Sequence, residues 1–166
     1  LRDKDSEGLK RSNKGGWHSQ NFKLTEKDSI QFKFAVKIQP YIVNAFQNFG
    51  WKIKDKNIRI SEMWAIINKK DDFNVIHTHP NCFLSAAYYV KAPKDSGNIV
   101  FYEPNDAKSI RYPEVEKYTR YSGTTVNFEP EEGKLLIFPS YLYHSVQANK
   151  SNEDRIVISF NVEIYR

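Results

Sequence analysis

The chain contains a single cysteine, Cys82, so no internal disulfide can form. A reducing compartment, the cytoplasm, is therefore the expected location. No apolar run approaches the length of a membrane span, which argues against a membrane partner. The opening Leu1–Asp5 is charged and has no apolar stretch, so it does not read as a secretory signal; without an initiator Met, a lost leader stays open. The formal charge of +5 is mild and its lysines and arginines are scattered among acids. Nucleic-acid binding uses a denser basic stripe, so the charge reads as a solubility feature. There is no internal repeat. Histidine is scarce too: His18, His77, His79 and His144 are the complete set.

At 166 residues, with 40% apolar and 14% aromatic residues, the chain is most simply one globular domain with a real core. We divide it into an irregular arm, 1–24, and a body, 25–166. In the arm, Trp17 and Phe22 are expected to pack on the body, and His18 reads as a surface or packing histidine. Thr25 with Asp28 resembles a helix start. Ile30, Phe34, Ile38, Tyr41, Ile42, Ala45, Phe46 and Phe49 then fall on one helical face, with Pro40 as a kink or a split and Gly50 as the stop. From Trp51 the period becomes two. Strands are expected at 58–68, 75–79, 83–92, 99–102, 124–128, 134–138, 141–147 and 155–165. Turns fall at 69–72, 129–133 and 148–154, and Asp95–Asn98 reads as a hairpin. Residues 104–123, with Arg111, Tyr112, Tyr118, Arg120 and Tyr121, read as a long loop or lid. One helix followed by about eight short strands predicts a mainly β fold, a double-stranded β-helix (jelly roll) with the helix packed on one sheet.

Within that pattern the chemistry concentrates on His77 and His79. Two apart in a strand, they present their imidazoles to one face. Opposed sheets would let His144, which follows the apolar run Gly133–Pro139, meet them. Three imidazoles can hold a transition metal facially and leave positions open, with iron favoured and Zn, Mn, Ni or Cu open. On the last strand Arg155, Val157, Ser159 and Asn161 share a face. A buried guanidinium needs an anion, and its fork suits a carboxylate; Tyr89 could donate to the same group. The bland readings are an outer polar His-x-His pair, ordinary strand tyrosines, and an Arg155 ion pair to Glu103 or Glu163. Cys82 reads as a small buried residue.

His77-Thr-His79, Leu84–Val90, Gly97–Phe101, Gly133–Pro139, His144 and Arg155–Asn161 together resemble the Fe(II)- and 2-oxoglutarate-dependent oxygenases, prolyl-hydroxylase-like branch. The resemblance runs from about Ile58 to the C-terminus. It implies an iron-dependent dioxygenase that hydroxylates an unknown primary substrate using O2 and 2-oxoglutarate, with release of succinate and CO2. It implies His77 and His144 as iron ligands, Arg155 and Tyr89 on the distal carboxylate of 2-oxoglutarate, Ser159 nearby, and Asn68 in the pocket wall. The family usually carries His-x-Asp or His-x-Glu; here His79 stands where the carboxylate belongs. A neutral imidazole raises the charge of the site by one unit and disfavours ferric iron. Asp71, Asp72 and Glu103 are the other oxygen sources, none at the expected spacing. We take His77, His79 and His144 as the metal-binding and catalytic set. The alternatives are a cupin-type metal protein, enzyme or sensor, which does not need Arg155, and a metal-free β-sandwich binding domain.

Overall fold

Period-two alternation over most of the second half builds two antiparallel five-stranded sheets, seen in a computed structural model that describes residues 2–105, 110, 113–119 and 122–165. The strands are β1 (Asn13–Lys14), β2 (Trp17–His18), β3 (Asn57–Asn68), β4 (Phe73–His77), β5 (Leu84–Lys91), β6 (Ile99–Tyr102), β7 (Thr125–Phe128), β8 (Leu135–Pro139), β9 (His144–Val146) and β10 (Arg155–Tyr165). One sheet has the order β1-β4-β9-β6-β7 and the other β2-β3-β10-β5-β8. The last strand of the chain thus lies at the centre of its sheet, paired along its length with β3 and β5. This is the expected mainly β jelly roll.

The arm is less irregular than its composition suggests. It contributes β1 and β2, one to an edge of each sheet. Two-residue strands carry no alternation to read, so only tertiary pairing reveals them. Trp17 is buried, and Phe22 packs against the main core.

The helix α1 spans Ile30–Asn48. It starts later than Thr25 predicts, because Ser29 is the cap: its Oγ accepts from the Phe32 N–H at 3.2 Å. Pro40 neither splits nor ends it. The carbonyl that proline leaves without a donor belongs to Val36, an exposed residue, where water can serve it. The apolar face is also narrower than predicted: Ile38, Ile42 and Phe46 are buried, whereas Ile30, Tyr41 and Phe49 are exposed. The buried three meet Met63, Leu84, Ala86, Phe160 and Val162 on the outer face of the β10 sheet. Phe46→Ala should cost about 3–5 kcal/mol and Ser29→Ala about 1 kcal/mol, both read as shifts in urea midpoint at unchanged slope.

A bulge decides what the inner face of that sheet presents. Asn161 pairs with Glu62 and Val162 with Ile60, leaving Ser61 unpaired. Ile58, Ile60 and Met63 therefore all pack toward the helix. Glu62, Trp64, Ile66 and Asn68 are turned to the opposite face, where they line a cavity between the sheets. Arg155, Val157, Ser159 and Asn161 line it from β10.

The segment Asp95–Asn98 is not a hairpin. β5 and β6 lie in different sheets, so it carries the chain across the sandwich, as does Glu129–Gly133 between β7 and β8. Local turn chemistry is the same for a hairpin and a crossover; only strand pairing separates them. Of the predicted lid, Arg111, Tyr112, Arg120 and Tyr121 lie outside the described residues, and Tyr118 is exposed. No described helix is long and apolar enough to cross a membrane.

Candidate metal centre

His77 ends β4 and His144 begins β9; the two are direct cross-strand partners. They meet because their strands are neighbours in one sheet; the opposed sheets that the sequence pattern suggests are not what joins them. Cross-strand partners project to the same face, and their ring centroids lie 4.3 Å apart. His79 lies beyond the end of β4, so strand alternation does not place it. A turn does: its N–H donates to the Ser140 carbonyl at 3.0 Å, and Asn81 follows with a left-handed φ of 64°. Its ring is 5.1 Å from that of His77 and 5.2 Å from that of His144. One nitrogen from each of the three lies within 4.8 Å of the others, and no carboxylate among the described residues joins the group. Asp71 is instead bridged to Lys150, and Asp72 accepts from the Lys69 N–H.

Backbone carbonyls orient two of the rings. Nδ1 of His77 donates to Val75 at 2.8 Å, and Nδ1 of His144 donates to Leu142 at 3.0 Å. A carbonyl can only accept, so Nδ1 carries the proton and Nε2 offers its lone pair, the tautomer a metal requires. Burial holds all three rings neutral: it lowers His77, takes His144 down to about 4 with help from His77, and takes His79 down to about 3 with help from its two neighbours.

The same cavity, of about 510 Å³, contains Arg155, Tyr89, Asn68 and Ser159. Arg155 is 1% exposed, and its Nη1 donates to the carbonyls of Ser96 and Gly97, not to Glu103 or Glu163. Gly97 adopts a φ of +88°, and a Cβ there would come within 2.3 Å of the Gln147 carbonyl, so this seat needs glycine. Burial lowers Arg155 to about 10, which leaves it a cation at neutral pH. The buried Tyr89 is pushed up to about 12, so it remains a hydroxyl donor. Nε of Arg155 and both amide atoms of Asn68 are buried without a hydrogen-bond partner. Asn68 pairs in register with Arg155, so these orphans cluster at one end of the cavity.

Toward the other end, Trp64 stacks on His18 with centroids 5.5 Å apart and lies 5.8 Å from His79. The packing role expected of His18 is what the arm provides, although the residue is buried and also lines the cavity. Trp64, Ser96 and the arm residue Ser12 carry no signal in the sequence, since their positions come from the β3 bulge, a crossover and an edge pairing respectively.

Residues 62–161, more than half of the chain, match a family model described as "Putative 2OG-Fe(II) oxygenase". No curated protein matches the sequence. Among solved structures, the chain is similar to a prolyl-4-hydroxylase from Pseudomonas putida (TM-score 0.63, 15% identity, 98% of this chain and 80% of that one). It is also similar to a viral collagen prolyl hydroxylase from Paramecium Bursaria Chlorella virus-1 (TM-score 0.58, 12% identity, 91% and 80%). A 2OG-Fe(II) oxygenase family oxidoreductase from Burkholderia pseudomallei aligns at TM-score 0.59 and 14% identity, with 80% of this chain spanning 55% of that one. At such identities the likeness is one of fold; the sequence match to the family model is what assigns the chain. It belongs to the 2OG-Fe(II) oxygenase family.

Proposed function

We propose that the protein is an Fe(II)- and 2-oxoglutarate-dependent dioxygenase that hydroxylates a C–H bond of its primary substrate. The observation that carries this reading is one cavity holding both a cluster of three neutral imidazoles and a buried arginine to which no carboxylate of the described residues is hydrogen-bonded. His77, His79 and His144 would hold the iron. Arg155, with Tyr89, Asn68 and Ser159, would hold the distal carboxylate of 2-oxoglutarate. The residues fit that group. A buried guanidinium whose Nε has no acceptor, next to an amide with neither atom paired, is costly unless an anion completes it.

When bound, iron(II) with 2-oxoglutarate and O2 supplies an oxidant that hydroxylates substrate while the oxo-acid becomes succinate and CO2. The chain's own part is positional. The carbonyls of Val75 and Leu142 keep Nε2 of two imidazoles deprotonated and aimed. Those of Ser96 and Gly97 fix the guanidinium. Burial of Arg155 strengthens its attraction for an anion. A cupin-type metal protein would have no use for Arg155, and that residue favours the oxygenase reading. The lone thiol of Cys82 supports a reducing location, the cytoplasm.

Anaerobic addition of Fe(II) and then 2-oxoglutarate should produce the visible charge-transfer band of the chelate, with succinate formed once air is admitted. A protein that binds iron but gives neither band nor succinate would be a metal-binding module of another kind.

A further inference from the structure

Ser12 belongs to the arm, outside the matched family region, yet it touches the face of His77 that a metal would occupy. Its carbonyl accepts the Val75 N–H at 2.9 Å, which fastens the arm beside β4. Nδ2 of the buried Asn74 donates to its Oγ at 3.1 Å, and that Oγ lies 3.3 Å from Nε2 of His77. Nδ1 of His77 already donates to the Val75 carbonyl, so Nε2 can only accept. The Ser12 proton must therefore point at Nε2. The donor chain runs one way: Asn74 to Ser12, Ser12 to His77, His77 to the Val75 carbonyl.

An ion at His77 needs the lone pair that the Ser12 hydroxyl now engages. The bond is long for an O–H donor and can yield. Once it yields, the hydroxyl is left with a proton, an oxygen still held by Asn74, and no other hydrogen-bond acceptor engaged among the described residues. The acceptors that arrive with the ion are the oxygens of its remaining ligands. Three neutral imidazoles bring no negative charge, so those ligands carry the balancing charge and attract a donor strongly. We propose that Ser12 caps His77 Nε2 in the metal-free protein and turns on metal loading to donate a hydrogen bond to the carboxylate of the oxo-acid co-substrate at the ion. This rests on the reading of the cavity given above.

The test uses Co(II), followed by its visible absorption, in the wild-type protein, Ser12→Ala and Ser12→Thr, and then 2-oxoglutarate added to each Co(II) form. Removing one hydrogen bond of this kind is worth a factor of about two to ten. Ser12→Ala should bind Co(II) alone more tightly by that factor, because a competitor for Nε2 is gone. It should bind 2-oxoglutarate more weakly by a similar factor, and Ser12→Thr should restore both. Opposite signs are the signature, since a merely loosened arm would weaken both. Affinities that fall together, or do not change, overturn the proposal while leaving the metal site standing. Wild-type protein that takes up no Co(II) overturns the proposal and the metal site together.

Discussion

His144→Ala and His77→Ala should each lower metal affinity by more than about a hundredfold, beyond what is lost when only an outer partner of a ligand is removed. Succinate formation should become undetectable. The reason is the ligand count: the cluster has three nitrogens and no carboxylate among the described residues, so losing one leaves two neutral donors to face a divalent ion. Equilibrium dialysis against Fe(II) or Co(II), with urea unfolding of the metal-free variants beside it, separates lost coordination from lost folding. His79 is the informative third position. His79→Ala should behave like the other two. His79→Asp supplies the anion that the two-histidine, one-carboxylate arrangement uses and should bind metal at least as tightly as the wild type. Weaker binding of His79→Asp than of His79→Ala would mean that position 79 does not face the ion.

Arg155 gives the second large effect, and it should fall on the other ligand. Removing the charged partner of a buried carboxylate costs about 3–5 kcal/mol, a loss of roughly two to four orders of magnitude in 2-oxoglutarate affinity. Metal affinity in the absence of the oxo-acid should hardly change, because the guanidinium contributes nothing to the imidazole cluster. Arg155→Ala also abandons the carbonyls of Ser96 and Gly97, so part of its effect will appear as lost stability. Arg155→Lys keeps the charge and loses the fork. It should fold, bind metal normally, and bind 2-oxoglutarate more weakly than the wild type by about tenfold. Calorimetric titration of the Co(II) form with 2-oxoglutarate reads both variants. Unchanged affinity in both would remove the co-substrate from this end of the cavity.

What could be read from the sequence depended on how local its cause was. The last strand, Arg155–Tyr165, was legible to the residue, because its alternation is long and one face carries only Ile, Phe and Val. The convergence of His77 and His144 was legible as a juxtaposition but not in its geometry: adjacent strands, not opposed sheets, make it. The helix start is displaced because Thr25 has an acid, Asp28, three residues on where Ser29 has Phe32, so the local signal points four residues too early. The Asp95–Asn98 crossover has the residues of a hairpin, yet its Ser96 and Gly97 carbonyls seat the arginine. Ser12 was invisible, since nothing local distinguishes it from any polar arm residue.

The most direct measurement is anomalous diffraction at the iron edge from crystals grown anaerobically with Fe(II) and 2-oxoglutarate. A single peak is expected at bonding distance, about 2.0–2.2 Å, from one nitrogen each of His77, His79 and His144, with a carboxylate of the oxo-acid on the Arg155 guanidinium. A peak elsewhere, or one that leaves any of those three rings turned away, would contradict it.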